Sequence, residues 1–227
     1  MILITTYYQI LNEQRNNEIN KCLIHNFLNK YIKEIYLLNN KIYDINFIEK
    51  NNKIKQVIIS EDTHYRLKYN DAIDFINKNL KNKICILSNS DIYFDSTLSK
   101  INYKNIDYSL FALLRYDEDN DGNKNIFTRH GLPRDDSQDC WIFKSPLNID
   151  LERINFSFGT LGCDNIFATI IHDTGIKISN PCLDIVSIHV HNTEFRTYNI
   201  DNRIHGKYCL LKPCHLDEYP EKLFIDY

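Results

Sequence analysis

Four polar clusters stand at the ends of apolar runs, and their residue types could do chemistry. Thr5-Thr6-Tyr7-Tyr8 follows the run Ile2 to Ile4. Ser88-Asn89-Ser90-Asp91 follows ICIL, and a second carboxylate, Asp95, comes four positions later. Gly162-Cys163-Asp164-Asn165 closes the glycine-bearing stretch FSFGTLG. His189-Val190-His191 ends a late apolar run. A carboxylate at a strand end and a histidine from another strand can hold Mg²⁺ or Mn²⁺, ions that keep sites for phosphate oxygens. An aspartate opening a helix behind a glycine loop can take the proton of an incoming hydroxyl. Singly, each cluster has a plainer reading: turn chemistry for Asp91, a helix cap for Asp164, core packing for the tyrosines, structure for a strand histidine. Together they are the parts needed to cleave a nucleotide–sugar bond and pass the sugar on.

The elements that must position these groups follow from periodicity. ILITT, IYLL (35–38), QVIIS (56–60) and ICIL read as strands. A helix with Ile19, Cys22, Leu23, Asn26 and Phe27 on one stripe is expected after a cap at Asn16 or Asn17, and only Asn26 breaks the stripe. A second helix carries Tyr69, Ala72, Ile73, Ile76 and Leu80, with Asn70 or Asp71 near its start. The order β-α-β-β-α-β predicts an α/β fold with a mostly parallel central sheet flanked by helices. SLFALL (109–114), CWIF (140–143), 176–179 and 185–190 are further strands, and Asp164 to Asp173 is a third helix ended by Gly175. DEDNDGNKN (117–125) starts like a calcium loop, but Thr128 stands where a bidentate Glu is required, so a solvated turn is expected.

Bulk properties exclude several classes. The chain has 227 residues, 43% hydrophobic and 25% charged, with a net charge of −3, so neither nucleic acid nor a membrane span is expected. No linker or repeat divides it, and one domain over 1–227 is expected. The start, MILITTYYQ, lacks a basic leader and a cleavage site and does not read as a signal peptide. Seven scattered cysteines favour a reduced, cytoplasmic setting, with Cys22, Cys85 and Cys163 as small buried hydrophobes. The spacing of His189, His191, Cys209, Cys214 and His215 matches no zinc knuckle.

The order of these clusters resembles the core of GT-A (Rossmann-like) glycosyltransferases. ICILSNSD resembles the strand leading into the DxD metal motif, with Asn89 in the first acidic slot and Asp91 in the second. GTLGCDNIFATIIHDTGIKISNP resembles the glycine loop, the xED motif and its helix; Cys163 replaces the usual Glu and Asp164 keeps the functional position. IHVH resembles the late metal histidine. TTYY, RLKYNDA, SNSDIYFD, DSQDCWIF, GCDN and HVHNTEFRTY are further similar to glycosyltransferase-like proteins of large DNA viruses and algae, which implies a host cytoplasm.

The resemblance implies a metal-dependent, inverting hexosyl- or deoxyhexosyltransferase that moves a sugar from a UDP- or GDP-linked donor to a glycan or glycoprotein hydroxyl. Asp91 and one of His189 and His191 would hold Mn²⁺ or Mg²⁺, with Asp95 supporting the loop from behind; both histidines lie on one strand face, so alternation does not choose between them. Asp164 would be the catalytic base, kept ionised by the helix dipole. Thr5, Thr6, Tyr7 and Tyr8 would receive base and ribose, joined at the donor by Arg15, Arg66, Asn70, Asn89 and Ser90. Asp136, Asp139, Trp141 and Gly162, with Asp135 beside them, would meet the acceptor. A nucleotidyltransferase is the rival enzyme, although ITTYYQILNEQR lacks its glycine-rich basic signature. A non-catalytic sugar- or nucleotide-binding domain with a decayed metal site is the rival without chemistry, and Asn89 is its best argument.

Overall fold

A computed structural model of the chain describes residues 1–49, 52–193 and 200–227. The first half runs β1 (Ile2–Thr5), α1 (Glu13–Leu28), β2 (Glu34–Asn39), β3 (Ile54–Ile58), α2 (Tyr69–Asn79) and β4 (Ile84–Ser88). Then come β5 (Ile92–Phe94), α3 (Tyr103–Ile106), β6 (Ser109–Leu113), β7 (Tyr116–Glu118), β8 (Lys124–Ile126), β9 (Thr128–Arg129) and β10 (Leu132–Pro133). The remainder is β11 (Cys140–Lys144), α4 (Cys163–Asp173), β12 (Lys177–Ser179), β13 (Ser187–His189), β14 (Lys207–Leu210) and β15 (Leu223–Asp226). The expected α/β class and the β-α-β-β-α-β opening are both present.

Seven strands form the central sheet in the order β12-β6-β11-β4-β1-β2-β3. Six share one direction; β11 reverses, pairing antiparallel with both β4 and β6. β1, β4 and β6 are buried along their whole length, as strands covered on both faces must be. Alternation divides their side chains. Ile2, Ile4, Cys85 and Leu87 face the core under α2 and α4, while Leu3, Ile84 and Ile86 face the one under α1. A second sheet, β5-β13-β7-β8, takes over where β4 ends. Residues 89–91 connect β4 to β5, so Asp91 lies at the junction of the two sheets.

Local signals explain the differences from the sequence reading. α1 begins one turn earlier than expected, because Asn12 is its cap and accepts from the Arg15 backbone N–H at 2.8 Å. Asn16 instead pins the preceding loop through Ile10. Asn26, the polar break in the stripe, is buried and satisfies the β5 backbone at Ile92 O and Phe94 N. α2 starts at Tyr69, after Lys68, with no side-chain cap. The segment 117–125 is a hairpin, since β7 pairs with β8 and also with β13; its tip is the expected polar turn, closed on Asp119. The seven cysteines are free and buried. No helix among the described residues is long and apolar enough to cross a membrane.

Candidate active site

The carboxyl ends of β1 and β4 open into a cavity of about 1250 Å³. Ligands of open α/β sheets bind at such strand ends. Asp91 stands on one side of it, with His189 from β13 and His191 just beyond. His189 Nε2 lies 3.3 Å and His191 Nδ1 3.6 Å from Asp91 Oδ2. Among the described residues these three form a group whose ligand atoms all lie within 4.8 Å of one another. The two histidines therefore do not compete for one position: both reach Asp91.

The cluster is braced from behind. Asp117 Oδ1 is 2.8 Å from His189 Nδ1, which aims Nε2 at Asp91. A carboxylate behind a histidine is the usual support for a metal ligand. Arg15 lines the cavity, but its guanidinium is engaged by protein partners. Its guanidinium is 4% exposed and is bonded to Asp91, to Glu18 at 2.8 Å and to Val190 O at 3.1 Å. Glu18 in turn accepts from Asn192 N at 2.8 Å and Thr193 N at 3.0 Å, so α1 holds the histidine segment in place. Burial alone would push the Asp91 carboxyl up, but His189, His191 and Arg15 hold it well below the usual range. Burial opposes the charged form of His189 too, yet Asp91 and Asp117 raise it to about 9. The donor set, one carboxylate and two imidazoles, fits a divalent transition ion. Asp95 is elsewhere: it caps the turn at Ser96–Lys100, accepting from Thr97 N at 2.9 Å.

Asp164 stands on the other side. Gly162, at φ +83°, precedes α4, so Asp164 occupies the first turn and is not the cap. It accepts from the Gln138 backbone N–H at 3.0 Å and from Asn165 Nδ2 at 3.1 Å. The helix dipole does not keep it acidic. Burial, reinforced by the nearby Asp139 charge, raises its carboxyl to about 6 against the pull of backbone N–H groups. Asp139 accepts from Arg115 Nη1 at 2.9 Å and Asn89 Nδ2 at 3.0 Å. Asn89, in the first slot of the metal motif, thus ties β4 to Asp139. Arg115 spans the two sides: its Nε donates to Asp117 at 2.8 Å, and its guanidinium lies 3.9 Å over the Phe127 ring.

The other expected residues divide. Thr6, Tyr7, Tyr8, Arg66, Asn89, Ser90, Asp136, Asp139 and Gly162 line the cavity. Tyr7 is packed edge-on against Tyr43, and its hydroxyl donates to Asn20 at 2.7 Å. Thr5 is 4% exposed, closed off inside the end of β1. Asn70 lies off the cavity, accepting from Asp71 N at 2.9 Å within α2. Asp135 is likewise off it, and Asp136 is clamped by Arg134 at 2.7 and 2.9 Å. Trp141 is not an acceptor platform. It is fully buried in β11, edge-on to Phe167 at 4.8 Å, because a central strand sends its side chains into the two cores. His215 is bonded to Asp184, away from the histidine pair. Glu194 to Tyr198 of the HVHNTEFRTY motif lie outside the described residues.

Sequence reasoning missed Glu18, Arg115 and Asp117. The first reads as an ordinary helix residue, Arg115 falls between a strand and a loop, and Asp117 opens the stretch expected to be a solvated turn. Beside the local pairs Arg15–Glu18 and Arg115–Asp117, the partners that tie them to the site, Asp139, His189 and residues 192–193, are far along the chain, and no spacing announces them.

No protein-family model matches the chain. No curated protein matches it either. Among solved structures it is similar to 4-diphosphocytidyl-2C-methyl-D-erythritol synthase from Anaerococcus prevotii DSM 20548. That likeness has 11% identity and a TM-score of 0.43, over 88% of this chain and 93% of that one. It is also similar to HddC from Yersinia pseudotuberculosis, at 15% identity and a TM-score of 0.39, over 69% of this chain and 82% of that one.

Proposed function

We propose that the chain is a metal-dependent transferase of nucleotide-linked sugars, acting as one domain over residues 1–227. The observation that carries the reading is the Asp91–His189–His191 group at the carboxyl ends of the parallel strands, in one cavity with a carboxyl raised to about 6 at Asp164. The reaction we assign is glycosyl transfer, with inversion, from a UDP- or GDP-linked sugar to a hydroxyl of a glycan or glycoprotein. Two imidazole donors favour Mn²⁺ over Mg²⁺, which prefers an all-oxygen shell. When bound, the ion would offset charge on the departing diphosphate. Thr6, Tyr7 and Tyr8 would take base and ribose, with Arg66 at the phosphates. Asp164 would accept the proton of the acceptor hydroxyl as its oxygen bonds to the anomeric carbon. The bond from that carbon to the diphosphate breaks, and its electron pair leaves with the diphosphate.

The test is a panel of UDP- and GDP-sugars with and without Mn²⁺, read by thermal shift and then by product. A ligand at ~100 times its Kd stabilises by about 2.7 kcal/mol. Release of nucleoside diphosphate with formation of a glycoside supports the reading, and NMR of the product anomer reports inversion. Nucleotidyl transfer is the second reading. It uses the same kind of sheet and a metal, and the similar solved structure from Anaerococcus prevotii is a synthase named for a diphosphocytidyl compound. It predicts pyrophosphate release from a nucleoside triphosphate and a sugar phosphate instead. Nucleotide binding indifferent to Mn²⁺ would leave a binding domain without chemistry.

A further inference from the structure

With Trp141 in the core, the acceptor side of the cavity needs another surface for a sugar ring. The hairpin of β14 and β15 supplies one. It packs on α4, where Thr169 Oγ1 donates to Lys207 O at 2.7 Å, and it carries Tyr208 and Tyr227 to the cavity that Asp164 lines. The two rings stack with centroids 4.8 Å apart and planes at 25°. Tyr208 is the inner ring, 2% exposed; Tyr227 is the outer one, 54% exposed. Arg203, also on the cavity, lies 5.2 Å from the Tyr227 centroid.

The pair is held in place. Gly206 and Tyr227 exchange backbone hydrogen bonds at 2.9 and 3.0 Å, and the Tyr208 hydroxyl donates to Ile204 O. That hydroxyl sits over Gly162, where an added Cβ would lie 1.9 Å from it. Gly162 thus lets Tyr208 rest against the start of α4, next to Asp164. Burial raises the Tyr208 phenol above its ordinary value, and the Asp164 carboxylate adds to the rise.

We propose that Tyr227, backed by Tyr208 and flanked by Arg203, is an acceptor subsite that takes the apolar C–H face of a pyranose ring. The proposal rests on the glycosyl-transfer reading. An exposed ring in a cavity keeps apolar area in water, and a sugar face laid on it removes that area. The Arg203 guanidinium, over the Tyr227 ring and bonded to the Tyr208 hydroxyl, offers its remaining donors to sugar hydroxyls or to a sugar carboxylate. Asp164 lines the same cavity, where it would meet a hydroxyl of the stacked sugar.

Saturation-transfer NMR tests this with methyl glycosides of glucose, galactose, mannose and fucose and with glucuronate, on protein carrying UDP or GDP with Mn²⁺. At least one sugar is expected to receive saturation, to lose about tenfold in affinity with Tyr227→Ala, and to keep it with Tyr227→Phe. Arg203→Ala is expected to weaken glucuronate more than the neutral glycosides. Thermal shifts by nucleotide and Mn²⁺ should be the same in all variants, which keeps a folding defect apart from a lost subsite. Sugar binding unchanged in Tyr227→Ala, or no sugar bound by nucleotide-loaded protein, overturns the proposal and leaves the donor site standing. Failure of every nucleotide to bind overturns the glycosyl-transfer reading, and this subsite with it.

Discussion

Asp91 and Asp164 are two carboxylates lining one cavity, and burial pushes both the same way, toward the neutral acid. Their partners separate them. Asp91 faces Arg15 and two histidines and is held well below the usual carboxylate range. Asp164 faces backbone N–H groups and another carboxylate, Asp139, and stands at about 6. One is a permanent anion, suited to holding a cation. The other changes charge near the pH at which it would work, as a general base must. Two like groups pushed apart by their surroundings are the signature of divided labour in a catalytic site. Arg115 joins the two sides, with Asp117 behind His189 on one branch and Asp139 beside Asp164 on the other.

Removing Asp91 should have the largest effect, because it strips charge from a buried network. Asp91→Ala leaves the buried Arg15 guanidinium with Glu18 as its remaining carboxylate partner, so the loss stays below the about 3–5 kcal/mol of a fully unpaired buried charge. Urea unfolding should show that loss, and nucleotide binding should lose its Mn²⁺ dependence. The double variant Asp91→Ala, Arg15→Met separates the two effects: stability returns only in part, because Glu18 keeps its bonds from Asn192 N and Thr193 N but loses the guanidinium, and the metal dependence does not return. Mn²⁺-dependent binding that survives in the double variant would move the ion away from Asp91.

Asp164→Asn should lower kcat by roughly 10²–10⁴-fold, the usual worth of a general base. Donor binding should barely change. It should also stabilise the fold, for a reason the comparison supplies. A carboxyl raised from 3.8 to about 6 binds its proton more tightly in the folded chain. Its cost is absent below about pH 4 and complete above about pH 6, so stability falls as pH rises through that window. The variant should therefore gain on the order of 1–3 kcal/mol over the wild type above pH 6 and nothing below pH 4. A variant that is inactive and no more stable at neutral pH would mean that burial does not strain the Asp164 carboxylate.

The sequence announced these groups unevenly, and the reason is range. ICIL followed by a carboxylate shows a strand end and a candidate ligand within eight residues, and both lie where expected. The late histidines were legible for the same reason. The ion pairing of Arg15 was not legible, because besides Glu18, one turn away, it bonds Asp91, brought in from the link between β4 and β5. Trp141 looked like a sugar platform beside its aspartates until β11 turned out to be a central strand. Asp117 read as solvent-facing because its pairing with β13 joins residues 72 positions apart. The charge state of Asp164 was expected from the helix it opens, a local effect; burial and Asp139 are tertiary effects, and they win.

A smaller effect sharpens the contrast on the Asp164 side. Kcat should rise with pH through about 6 and level off as the Asp164 carboxylate forms. Asp139→Asn removes the facing charge, which lowers the carboxyl of Asp164 and moves that acid limb to lower pH, by about one unit or less. Cys163, Tyr69 and Tyr208 also face Asp164, and their burial keeps them neutral in this range. A limb that stays put, or moves up, would mean that Asp139 does not set the charge of the base.

The smallest effect is expected four positions from the largest. Asp95 ends the SNSDIYFD segment whose first carboxylate is Asp91, and the two look interchangeable in the sequence. The fold makes them different. Asp95 lies beyond β5 and spends its carboxylate on Thr97, accepting from the backbone N–H at 2.9 Å and from the hydroxyl at 2.5 Å. Thr97 Oγ1 in turn accepts from Val186 N at 2.9 Å, so the cap also steadies the approach to β13. Asp95→Ala should then cost about 1 kcal/mol, the common value for a lost cap. Asp95→Asn should recover most of that, since an amide oxygen accepts the same bonds. Mn²⁺ titration of both variants should match the wild type, in contrast to Asp91→Ala. A weakened Mn²⁺ affinity in Asp95→Asn, at unchanged stability, would bring Asp95 back behind the metal site.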